Sequence, residues 1–440
     1  MDIIAGMPFF RLEITKDGQE FSASQKAAIE NSVRNSGAAQ LTDLFVISHG
    51  WNNDSAEAQE LYEELFANLA ALMPGHAALR DRKFAVVGIF WPSKKFADNE
   101  LIPSGGAASL DDGAHLSSLA VKRKLDSLKG TFDVPDEALL EHAKMLIDGI
   151  ESEVTKQEEF VNIIRSLVPN APTDAADDAS DQLFAQEPRQ LLAALSKPSF
   201  PAPARGGGGI ALGIDEQAGG VASFEDFFTG IKAAAWRLLN YATYYQMKER
   251  AGVVSKVVNG VLGSVRNLRP DLRIHLIGHS FGARVVTAAV DGPTTIRPSS
   301  LSLLQGAFSH NGFSERFDGG KDGYFRKVVG QSKVAGPILA THTVNDKAVG
   351  IAYAIASRLS FDNANALGDE NDIYGGIGRN GAVKMKSVEL VKGTLLPASG
   401  VYRFVPRKVH NLRADAFIGN HSDVKGPQVA HAILSAVGIT

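Results

Sequence analysis

Arg273-Ile274-His275-Leu276-Ile277-Gly278-His279-Ser280-Phe281-Gly282-Ala283-Arg284-Val285-Val286 decides the fold. Ile274, Leu276 and Ile277 form a short apolar run of the kind a buried strand shows. Gly278 to Gly282 then read G-x-S-x-G, and a small-residue segment of helical character follows to Val290. A turn this sharp needs glycine at its flanks. It lifts one serine hydroxyl off the end of a sheet, beside the N–H groups that open a helix. The bare pattern arises by chance about 0.3 times in such a chain, and a plain Gly-Ser turn is its bland reading. The strand before it and the helix after it favour a nucleophile turn at Ser280.

Outward from this stretch the pattern repeats. Leu41–Ser48 reads as a strand ending at His49-Gly50-Trp51-Asn52. Ala56–Met73 reads as an amphipathic helix closed by Pro74-Gly75, and Lys83–Trp91 as another strand. Met7–Thr15 reads as a first strand and Ser24–Asn35 as a helix with Ser24 at its cap. Ser300–Phe308 and Pro337–Val344 are further strands, Ala348–Leu359 is a helix, Tyr402–Val405 a late strand and Val429–Val437 a closing helix. Continuous apolar strands separated by helices indicate a mostly parallel sheet covered on both faces.

Between Pro103 and Gly220 the pattern breaks, with no convincing strand. Pro135–Leu167 and Leu183–Leu195 are helical, Pro169–Asp181 is a loop, and Lys197–Gly220 is rich in Pro and Gly. Residues 1–104 and 221–440 are therefore expected to form an α/β core, and 105–220 a helical insertion, either a lid or a decoration. Helical sequence resumes from Phe224 to Asn267.

Serine attack on a carbonyl requires a base, and the base requires a carboxylate to fix its tautomer. Among eleven histidines, His421 lies in a polar loop between the last strand and the last helix, within reach of the strand ends. His410 and His431 are the alternatives. His275 alternates within a strand and is structural. His279 is in the turn, where its backbone matters more than its ring. Asp346 directly follows an apolar strand, the place where parallel sheets hold their sites. It equally suits the cap of the next helix, and Asp318 and Asp322 are the fallback. The oxyanion donors are expected to be the backbone N–H groups of Phe281 and of Trp51.

The chain has 440 residues, 44% apolar and 21% charged, with formal net charge -4 and no cysteine. Thiol catalysis and thiolate metal sites are excluded. No broad basic field points to nucleic acid. No metal-binding His-Glu-x-x-His, phosphate-binding loop or calcium loop is present, and Gly375-Gly376-Ile377-Gly378 does not follow a strong strand, so no metal and no cofactor is expected. No apolar run is long enough to span a membrane and no secretory signal opens the chain, so the expected compartment is the cytoplasm.

The order donor loop, Ser280, Asp346, His421 is one of the known triad orders. With His49-Gly50-Trp51 and Gly278-His279-Ser280-Phe281-Gly282, the chain resembles the α/β-hydrolase superfamily over about residues 7–100 and 224–437. It looks closest to bacterial serine hydrolases with a His-Gly-Trp-Asn loop. The resemblance implies an eight-stranded, mostly parallel sheet, a cap-like insertion, a Ser-Asp-His triad and a small-molecule or lipid ester as substrate.

Overall fold

In a computed structural model, residues 2–34, 41–51, 54–93, 110–111, 115–168, 182–197, 229–346, 348–349 and 375–440 are described. The expected Ala348–Leu359 helix, the loops Pro169–Asp181 and Lys197–Gly220, Asn52, and most of the Asn/Gly-rich loop ending at Gly381 lie largely outside those residues. No helix among the described residues is long and apolar enough to cross a membrane.

The strands are β1 (Asp2–Ile4), β2 (Met7–Glu13), β3 (Asp43–Ser48), β4 (Phe84–Phe90), β5 (Leu110–Asp111), β6 (His115–Leu116), β7 (Arg273–His279), β8 (Ser300–Leu304), β9 (Ile338–His342), β10 (Leu390–Thr394) and β11 (Val409–Arg413). Nine of them form one sheet in the order β1-β2-β4-β3-β7-β8-β9-β11-β10. Every pairing is parallel except β1 with β2. The protein is thus an α/β protein with a mostly parallel sheet flanked by helices.

The chain divides into two compact units. The first joins Met1–Lys94, Lys248–Val349 and Gly376–Thr440 and contains this sheet. β3 and β4 are buried along their whole length, and β7 from its second residue on. That is why residues 44–47 and Phe84–Phe90 are continuously apolar rather than alternating, while β7 buries His275 within its apolar residues. One face carries Phe45, Ile47, Val86, Ile277 and Leu339 into a core closed by two helices. Tyr62, Leu65, Phe66 and Leu69 come from Ser55–Leu72, and Val429, Ile433, Leu434 and Val437 from Pro427–Gly438. Ser55–Leu72 starts at a full capping box: the Asp54 carboxylate accepts from Ala56 and Glu57, and Glu57 accepts from the Asp54 N–H.

The second unit includes the described residues from Leu110 to Met247 and is mainly helical. Pro135–Leu167 is two helices rather than one, Glu137–Leu146 and Val154–Leu167, separated at Gly149 with φ +91°. Where the sequence suggests no strand, β5 and β6 form a two-stranded antiparallel ribbon. The expected boundary at 221 also shifts. The helix Ile231–Leu268 is continuous, but its first part, through Ala234, Leu238, Leu239, Tyr241 and Tyr245, packs in one core with Leu140, Ile147, Phe160, Ile164, Leu191 and Leu195. That part belongs to the second unit, and residues from Lys248 on belong to the first.

Three edge features differ from expectation. β1 precedes the expected first strand and turns at Ala5 and Gly6, both at positive φ. Ser22, not Ser24, faces the start of Ala23–Arg34, its hydroxyl accepting from the Ser24 N–H. Tyr402–Val405 is not a strand. Tyr402 and Phe404 stack at 4.6 Å and cover His431 and His410, while β10 and β11 complete the sheet.

Candidate active site

The strand register brings several strand ends to one level. Ser48 is opposite Gly278, His279 opposite Leu304, and Leu304 opposite Thr341. The carboxyl ends of β3, β7, β8 and β9 therefore form one rim, where a parallel sheet can gather residues distant in sequence.

Ser280 has φ 55° and ψ −124°, a conformation few residues other than glycine adopt. Such a backbone costs roughly 1–3 kcal/mol and persists where the surroundings over-determine it. Here three main-chain bonds do so. The Ser280 N–H donates to the Leu304 carbonyl at 3.1 Å, and the Ser280 carbonyl accepts from Ala283 and Ala307, both at 3.0 Å. Ser280 precedes the helix Phe281–Asp291 yet makes no side-chain bond to cap it. The glycines are explained by close approach. A Cβ on Gly278 would meet the Ala283 backbone at 2.5 Å, and one on Gly282 the Ser48 carbonyl oxygen at 2.1 Å.

Asp346 is fully buried, and its two carboxylate oxygens have separate partners. Its Oδ1 accepts from the Val349 N–H at 3.0 Å, as a helix cap does. Its Oδ2 accepts from His421 Nδ1 at 2.9 Å. The structure thus joins the two residues, 75 positions apart, as acid and imidazole. Asn345 ties the acid turn to the histidine loop by donating to the Asp415 and Ile418 carbonyls at 3.2 and 2.9 Å.

The His279 ring has more than a backbone role. Its Nε2 donates to the His421 carbonyl at 2.9 Å, and the two rings pack at 5.0 Å between centroids. A carbonyl only accepts, so Nε2 carries a proton, while Nδ1 is buried with no hydrogen-bond partner among the described residues, which favours the neutral ring. Burial, then the neighbouring His421 imidazole, lowers the His279 pKa to about 3.

The loop after β3 is braced by His49. Its N–H donates to the Tyr62 hydroxyl at 2.8 Å, its Nδ1 to the Gly50 carbonyl at 2.9 Å, and its Nε2 accepts from the Trp91 N–H at 3.2 Å. Burial lowers its pKa to about 4, so it is a neutral brace. Gly50 then lies directly on Ser280, and the rings of Trp51 and Phe281 meet edge to face at 6.3 Å. The Phe281 N–H opens the helix, at the positive end of its dipole.

The alternatives lie elsewhere. His410 bonds Val405 across a turn. His431 bonds His76 and the Gly400 carbonyl beside a cavity of about 510 Å³. Asp318 bridges to Lys321, and Asp322 accepts from the Arg316 N–H. Gln305, which no sequence signal marks, donates to Asp346 Oδ2 at 3.1 Å. Among the described residues no group of three or more His, Asp or Glu is arranged to hold a metal ion.

A hydrogen-bonded Ser–His–Asp string lies elsewhere in the same sheet. Ser300 Oγ is 2.8 Å from His275 Nδ1, and His275 Nε2 is 2.9 Å from Asp43 Oδ1. All three are buried. Burial would raise the Asp43 pKa, but bonds from Arg82, His275 and Thr42 outweigh it and hold the carboxyl well below the usual range. This string starts where β3 and β7 begin, and Arg82 links it to the Val437 carbonyl. It is a structural strut, as expected for His275.

No protein-family model matches the chain, and neither a curated protein nor a solved structure was found to match it.

Proposed function

We propose that the protein is a serine hydrolase of α/β-hydrolase fold that cleaves carboxylic esters through an acyl-serine intermediate. The observation that carries this reading is the strained Ser280 turn on the same sheet rim as a buried Asp346–His421 pair. The parallel order from β2 to β10, with one antiparallel strand at its edge, supports the fold, although nine strands stand where the resemblance implies eight.

In this mechanism Ser280 Oγ attacks the ester carbonyl while His421 Nε2 takes its proton. Asp346 holds the imidazole in the Nδ1–H tautomer and stabilises its charged form. The backbone N–H groups of Trp51 and Phe281 receive the developing oxyanion, each worth on the order of a hundred to a thousandfold. His421 then protonates the leaving alcohol, and water releases the acyl group by the same route in reverse. Small-molecule and lipid esters both suit this chemistry. Hydrolysis of p-nitrophenyl esters of increasing acyl length, by wild type and Ser280→Ala, tests it. A fall of at least about a thousandfold in the variant is expected, and equal turnover would end the reading.

A further inference from the structure

Gln305 combines two costs in one residue. Its backbone sits at φ 45°, a region that non-glycine residues rarely occupy. Its side chain is fully buried, and Oε1 accepts no hydrogen bond among the described residues. Strain and an unsatisfied polar atom at one position are a mark of functional rather than packing constraint.

What the residue gains is two aimed donor bonds. Gln305 Nε2 donates to Asp346 Oδ2 at 3.1 Å and to the Gly378 carbonyl at 2.8 Å. The amide can only be oriented this way, because turning it over would set its oxygen against a carboxylate and a carbonyl. The Gln305 backbone N–H donates in turn to Thr341 Oγ1 at 3.1 Å.

The surroundings are built to the same end. A Cβ on Gly378 would stand 2.5 Å from the Gln305 carbonyl carbon, so glycine is required there. The Gly378 carbonyl also accepts from the Thr343 N–H at 3.0 Å, at the start of the acid turn. Gly378, within the Gly-rich stretch, is therefore the backbone shelf on which Gln305 rests.

Resting on the hydrolase reading, we infer that Gln305 is the positioning residue of the catalytic acid: it holds Asp346 as an ionised acceptor aimed at His421 Nδ1. Asp346 Oδ1 is occupied by the Val349 N–H, so Oδ2 alone faces the imidazole. The Gln305 and His421 donors share that oxygen and fix the carboxylate plane between them. Among the described residues, the other ionisable groups around the turn include His279, against the His421 loop, His342, beside Arg379 and Asp415, Arg379, which donates to the Val344 and Asp346 carbonyls, and Asp415, which accepts from Thr343 and Val344.

The test compares Gln305→Met and Gln305→Glu with wild type over the full pH range of ester hydrolysis, with thermal melting as the control for folding. Gln305→Met keeps the volume and loses the donor. Its kcat is expected to fall about ten- to a hundredfold at every pH, the kinetic equivalent of one hydrogen bond to a charged group. In Gln305→Glu, the introduced carboxyl still donates to Asp346 while it is protonated, and repels it once ionised. The ratio of Gln305→Glu to wild-type kcat is therefore expected to be highest at acid pH and to fall as pH rises. Folded variants with wild-type kcat, or both variants reduced by the same pH-independent factor, would overturn the role of Gln305 while leaving the hydrolase reading standing. Wild-type turnover that Ser280→Ala does not reduce would overturn both.

Discussion

Gly50 lies so close to Ser280 that a methyl group on it would stand 2.4 Å from the serine Cβ and 3.0 Å from its hydroxyl oxygen. The loop after β3 and the Ser280 turn are thus in direct contact, and the absence of one side chain sets their distance. Gly50→Ala must push the two apart. We expect a fall in ester turnover of about a hundredfold or more, since displacement by about an ångström costs that much, with a loss of stability of about 1–3 kcal/mol. Gly282→Ala meets backbone on both nearest sides, so its loss of stability is expected to be the larger of the two in denaturant melts.

Asp346→Asn separates the two duties of this carboxylate. An amide oxygen can still cap the Val349 N–H, but the charge that supports His421 is lost. The Asn Nδ2 then faces the Gln305 Nε2 donor, so we expect a loss of stability of about 1–3 kcal/mol and a kcat reduced by about 10³- to 10⁴-fold. A variant that melts early but keeps its turnover would assign Asp346 to the helix cap alone.

The neutral buried histidines set an acid limit on stability. His279 and His49 have folded-state pKa values of about 3 and about 4, against about 6.5 for an unfolded histidine. Between those values the unfolded chain binds more protons, so stability falls as pH falls. The loss begins below about pH 6.5 and continues to about pH 4 for His49 and about pH 3 for His279. Each contributes on the order of a few kcal/mol. His279→Gln, which retains a donor for the His421 carbonyl but does not titrate, is expected to flatten this limb in urea melts between about pH 7 and pH 4. An unchanged slope would count against the neutral ring.

Much of this architecture is legible in the sequence, for physical reasons. β3 and β4 are central and covered on both faces, so they read as nearly unbroken apolar runs, and β7, β8 and β9 keep an apolar majority interrupted by buried polar residues such as His275 and Ser302. Ser280 announces itself by its glycines, and Asp346 by its place directly after an apolar strand. β10 is at the sheet edge and largely exposed, and Lys392 and Gly393 within it give no strand signal. The helix Ile231–Leu268 has no break where it passes from one core to the other, so periodicity gives no boundary there. The His279 ring and the Gln305 amide have partners 142 and 41 residues away. No local pattern predicts such bonds.

Ser300–His275–Asp43 supplies an internal comparison. The same three residue types lie sealed in the interior, the His275–Asp43 distance matching that of His421–Asp346 at 2.9 Å, with Arg82 on the acid. Removing Arg82 leaves a buried charge without its main partner, so Arg82→Ala is expected to cost about 3–5 kcal/mol. Ser300→Ala is expected to cost about 1–3 kcal/mol and to leave turnover per folded molecule unchanged. A loss of catalysis at normal stability would mean that the strut takes part in the chemistry.

The most direct test of the central claim is covalent labelling with a fluorophosphonate, with the modified residue mapped by mass spectrometry. The account predicts one phosphonyl group per chain, on Ser280, absent from Ser280→Ala and formed far more slowly in His421→Gln. An intact, folded protein that takes no label, or takes it at another residue, would contradict it.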